Sequence, residues 1–86
     1  MDYNHNVSRR EKLLQKWLNK SNKQPENIDT VLAVCEYYFG KINIKFSSSH
    51  VNIHCKELNE IITFVVHNNK VKAPYLKNIA LAIKML

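Results

Sequence analysis

The chain has 86 residues, 45% of them hydrophobic, and a formal net charge of +6. A chain of this length forms one domain with a modest core that buries about 60% of its unfolded surface, and its apolar content argues against disorder throughout. No apolar run approaches the roughly 20 residues of a bilayer-crossing helix, and MDYNHNVSRREK lacks a signal-peptide core, so a cytoplasmic protein with no membrane partner is expected.

Residues 1–7 read as a loose tail. Ser8-Arg9-Arg10-Glu11 follows as a capping box, in which the Ser8 hydroxyl accepts from the Glu11 backbone N–H. Leu13, Leu14, Trp17 and Leu18 then recur at helical spacing, with Lys12, Lys16 and Lys20 on the opposite side. SNKQPEN ends this helix near Lys20. A cationic stripe of this kind reads first as a solvated face. Ile28, Val31, Leu32, Cys35 and Phe39 predict a second helix from Ile28 or Asp29 to Phe39, stopped by Gly40, the chain's single glycine.

Three alternating stretches come next, at residues 41–47, 50–56 and 60–67, with the period of half-buried strands. Ile42, Ile44 and Phe46 share one face of the first, against Lys41, Asn43, Lys45 and Ser47. Val51, Ile53 and Cys55 oppose His50, Asn52 and His54 in the second. The third sets Ile62, Phe64 and Val66 against Ile61, Thr63, Val65 and His67. Ser48-Ser49 reads as a tight hairpin turn and Glu57-Leu58-Asn59 as a short link, so neighbouring strands run antiparallel. His67 to Lys72 reads as the loop out of the sheet. Pro74 opens a last helix, whose Leu76, Ile79, Ala80, Ile83 and Leu86 face the sheet.

The expected fold is therefore α+β, a three-stranded antiparallel sheet covered by helices on one face. From Asp29 onward the order α-β-β-β-α is that of double-stranded-RNA-binding domains (dsRBD-like), with an additional N-terminal helix. Residues 1–27 form the tail and extra helix, and residues 28–86 the domain proper. Cys35 and Cys55 fall on apolar faces, in no metal-binding spacing, and read as buried thiols. Lysine and arginine concentrate in residues 1–24 and again from Lys41 onward, whereas 25–40 carries Glu26, Asp29 and Glu36 and no cation. A basic balance favours a polyanionic partner, although many small soluble proteins are basic and charge alone assigns none.

SSSHVNI, followed by ITFVVHNNKVKAPYLKNIALAIKML, resembles the HicA family of toxins from bacterial toxin–antitoxin pairs. Ser49-His50 corresponds to the family's Ser-His pair and Ile62-Thr63-Phe64 to its following strand. His67-Asn68-Asn69-Lys70-Val71-Lys72 corresponds to its loop, and Tyr75-Leu76-Lys77 opens its closing helix. The resemblance spans residues 29–86. Ser48 stands where the family usually has Gly, and Val51 where a second His is common. The resemblance implies a dsRBD-like fold, metal-independent cleavage of mRNA with no cofactor, neutralisation by a HicB-type antitoxin, and His50 as the catalytic residue.

Such cleavage needs a base for the 2′-hydroxyl proton, an acid for the leaving 5′-oxygen, and cations for the phosphate. Imidazole suits the first two tasks because it titrates near neutral pH. Lys45, Lys70 and Lys72 are the candidate phosphate contacts, with Ser49 and Asn52 as hydrogen-bond donors. His67 and His54 are candidates for the second proton-transfer group, although His54 reads first as a polar residue on a wet strand face. Trp17, Tyr37 and Tyr38 can stack on bases, but core packing explains Trp17 more simply. A zinc site on His50, His54 and an adjacent His67 is rejected, because the four residues of strand from His50 to His54 span about 13 Å. The rival readings are a non-catalytic RNA-binding module on the same fold and a protein-interaction domain whose charge is incidental.

Overall fold

The structure is a computed structural model that describes residues 8–55 and 59–86. The expected tail over residues 1–7 and the Glu57-Leu58 part of the second strand link lie outside the described residues. The first helix, α1, runs Arg9–Leu18 and is capped as its sequence predicts, the Ser8 hydroxyl accepting from the Glu11 N–H at 3.2 Å. It stops two residues short of Lys20 because local side chains offer the backbone other partners. The Asn19 Oδ1 accepts from the Ser21 N–H at 2.9 Å and the Asn22 Oδ1 from the Gln24 N–H at 3.3 Å, two successive Asx turns.

A two-residue strand, β1 (Glu26–Asn27), leads straight into α2 (Ile28–Phe39). The Asn27 side chain caps α2 by accepting from the Asp29 N–H at 2.8 Å, and Gly40 ends it at φ 77°, a left-handed conformation that glycine takes freely. Three strands follow: β2 (Ile42–Ser47), β3 (His50–Cys55) and β4 (Glu60–His67). Their limits match the alternation in the sequence to within a residue wherever they are described.

Among the described residues the sheet has five strands, not three. Asn68 and Asn69, at φ 53° and 63°, turn the chain back on itself, and Lys70–Val71 becomes β5, pairing with Val66 and His67. Asparagine tolerates this left-handed pair of positions better than most residues, so the segment expected as a loop is a hairpin. β5 then pairs with β1, Glu26 opposite Val71 and Asn27 opposite Lys70, and the Ile28 N–H donates to the Asn69 carbonyl at 2.9 Å. All the pairs are antiparallel and the order is β1-β5-β4-β3-β2. The last helix, α3 (Ala73–Lys84), has Pro74 in its first turn.

The helices cover one sheet face, as expected. Val51, Ile53, Cys55, Phe64 and Val71 from that face join Val31, Cys35 and Phe39 of α2 and Leu76, Ile79 and Ile83 of α3 in a single core. Leu14 and Trp17 of α1 belong to the same cluster, with Trp17 only 1% exposed. Phe46 has the expected parity but stands 65% exposed near the end of the edge strand β2. Both cysteines are buried and free. Burial, reinforced by the neighbouring Cys55, pushes the Cys35 thiol up to about 12, so it stays protonated and serves as core filling rather than as a nucleophile. No helix among the described residues is long and apolar enough to cross a membrane.

Candidate functional site

The face of the sheet turned away from the helices is laid out in rows by strand register. Asn43, His54 and Ile61 form one row, and Lys45, Asn52 and Thr63 the next. Ser47, His50 and Val65 form the third, and Asn27, Lys70 and His67 carry the same face onto β5 and β1. No carboxylate stands in these rows. The face therefore offers imidazoles, ammonium groups and neutral donors, a set suited to an anion.

His50 is exposed, directly across from Ser47 and Val65. Residues directly opposite lie about 4.5–5.5 Å apart at Cβ, and diagonal neighbours about 7–8 Å or somewhat less. By that measure Lys45 of β2 and Thr63 and His67 of β4 are the diagonal neighbours of His50. Lys45 and His67 lie on opposite sides of His50 along the strand direction, so the three groups run diagonally across the face with His50 at the centre. His54 is separated from His50 by the Asn52 row and is half-buried. Among the described residues no cluster of three His, Cys, Asp or Glu side chains is placed to hold a metal ion.

Asn52 occupies the centre of the face. Its Oδ1 accepts from the Thr63 hydroxyl at 2.6 Å, which fixes the amide's orientation and leaves its two N–H donors for another acceptor. Thr63 and Ser47 were not foreseen as site residues, although the same alternation that singled out His50 marks both. A shallow depression of about 580 Å³, lined by Asn43, Lys45, Asn52, His54 and Ile61 among others, adjoins the His50 row without including it.

Not every candidate shares this surface. Ser49 has the opposite parity and lines a cleft with Ile28, Asp29, Leu32 and Phe46 on the helical side, while its carbonyl accepts from the Val66 N–H at 2.8 Å. Lys72 lies past the end of β5, at the N-cap of α3. Lys70 is opposite His67 and on the face. Trp17 is in the core, and the Tyr37 ring, 60% exposed on α2, carries the Arg10 guanidinium at 3.9 Å from its centroid and meets Tyr38 edge-on.

The turn that presents His50 is strained. Ser48 holds φ 54°, a left-handed conformation that costs a residue with a Cβ about 1 kcal/mol or more. Ser48→Gly is therefore expected to stabilise the fold by about 0.5–1 kcal/mol, raising Tm by about 3–6 °C in a chain of this size. A thermal melt with an unchanged or lower midpoint would contradict this account of the turn. No family model, curated protein or solved structure matches the chain.

Proposed function

We propose that the outer sheet face binds RNA and cuts it without a metal ion, with His50 as a general acid or base, in the manner of the HicA toxins that residues 29–86 resemble. The observation that carries this reading is the register, which sets Lys45, Thr63 and His67 diagonal to an exposed His50, in rows that hold no carboxylate among the described residues. One imidazole takes the proton of the 2′-hydroxyl as the 2′-oxygen attacks phosphorus. The other, protonated, delivers its proton to the 5′-oxygen as the P–O5′ bond breaks. The products are a 2′,3′-cyclic phosphate and a 5′-hydroxyl end. Lys45 and Lys70 offset the negative charge on the phosphate, and the Asn52 amide donates to a non-bridging oxygen or a base edge.

Of the two candidates for the second proton-transfer group, register favours His67. His67→Ala is expected to lower the cleavage rate about 10²–10⁴-fold, whereas His54→Ala, one row further away, changes it by less than about tenfold. The comparison is made on purified proteins with one labelled RNA. Equal losses in the two variants would remove His67 from the mechanism. Halting translation by mRNA cleavage is the biological outcome of this chemistry, and an acidic, HicB-type antitoxin covering the same face is the partner its charge suits.

The non-catalytic alternative draws on the same lysines and on the free Asn52 donors. It predicts salt-sensitive retention of RNA that stays full length. A gel that separates intact from cut RNA, run beside a binding assay at the same protein concentration, distinguishes the two.

A further inference from the structure

On the helical side of the molecule the end of α1, the Asn19–Lys23 turn and the start of α3 enclose a second cavity of about 400 Å³. Two buried nitrogen donors, Trp17 Nε1 and Asn22 Nδ2, have no hydrogen-bond partner among the described residues, and both residues line this cavity. Buried donors in folded proteins are nearly always satisfied, and leaving one unpaired costs about 1–3 kcal/mol. Indole nitrogen can only donate. The Asn22 amide is not free to flip either, because its Oδ1 is held by the Gln24 N–H in the Asx turn.

What the site lacks is thus an acceptor, and its walls say of which charge. Lys20, Lys23 and Lys77 line it, and no carboxylate among the described residues does. The N-terminus of α3, a helix of 12 residues whose N-cap Lys72 makes no side-chain cap bond, opens at the same place with its positive end. The C-terminal end of α1 meets the same cavity, so the two helix ends offset one another and the charge of the site comes from its lysines. Two donors without an acceptor and three ammonium groups favour an oxyanion over a neutral water molecule. We infer that this cavity binds a phosphate group, held by Trp17 Nε1, Asn22 Nδ2 and the three lysines. The inference is independent of what the sheet face does.

Trp17 is the chain's single tryptophan, so its fluorescence reports on the site directly. Inorganic phosphate titrated into the full-length protein, against chloride at matched ionic strength, is expected to give a saturable change in emission that chloride does not. Lys23→Gln and Lys77→Gln, both surface changes, should each weaken the apparent affinity about threefold to tenfold. Lys84→Gln, at the far end of α3, should leave it unchanged. A short deoxyoligonucleotide with a 5′-phosphate, compared with its 5′-hydroxyl form, separates the two sources of the ligand. Tighter binding than inorganic phosphate assigns the site to a nucleic-acid end, and equal binding assigns it to free phosphate. A response to phosphate no different from that to chloride, or equal affinities in all three lysine variants, would overturn the site and leave water as the occupant.

Discussion

Purified protein carrying His50→Ala is expected to cleave RNA about 10²–10⁴-fold more slowly than the parent, the usual contribution of a positioned acid or base. The size of the loss is informative because stability should barely change. His50 is exposed, lies outside the core cluster and occupies a strand start, where its removal opens no cavity. Surface substitutions of this kind stay within about 0.5 kcal/mol of the parent, so a thermal melt run beside the assay separates lost chemistry from lost fold. RNA binding should persist, because Lys45, Lys70 and Asn52 remain on the face. A variant that cuts as fast as the parent would remove His50 from the reaction.

Trp17→Ala should be the most damaging single substitution for the fold. Truncating a buried aromatic side chain costs about 3–5 kcal/mol, out of a total that for small domains is about 5–15 kcal/mol. At roughly 4–8 °C per kcal/mol for a chain of this size, Tm falls by about 15–30 °C. The reason lies in where α1 packs. Trp17 is 1% exposed and belongs to the same cluster as Phe64 of β4 and Leu76 of α3, so the N-terminal helix closes the core. A helix merely appended to residues 28–86 would predict a melting midpoint close to that of the parent. Circular dichroism followed through the transition reads the difference.

Much of the face was legible from the sequence because a strand's period is two and its errors are visible. One residue's slip in β3 or β4 would expose Val51, Ile53 or Phe64, and all three are buried. The same rule put His50, Asn52, His54 and His67 on the wet side. Which imidazole neighbours His50 was not legible, since that depends on how β3 and β4 are staggered across their connecting link. The small strands β1 and β5 escaped for a related reason. Two residues are too few for any periodicity, and the pairing of Asn27 with Lys70 joins parts of the chain far apart in sequence. Asn68-Asn69 did carry a turn signal, one that reads as a hairpin once both residues are allowed positive φ. Ser49 and Lys72 were grouped with His50 by closeness in sequence or by charge, and strand parity and the α3 cap separate them. The orphaned Trp17 and Asn22 donors depend on tertiary packing, and no residue pattern announces them.

The most direct measurement is the chemistry of the cut. Full-length protein incubated with RNA in the presence of EDTA should generate fragments ending in 2′,3′-cyclic phosphate and beginning with 5′-hydroxyl, while the same sequence made as DNA stays intact. RNA that is bound but uncut under these conditions, or fragments carrying 5′-phosphate ends, would contradict a reaction run by imidazoles on this face.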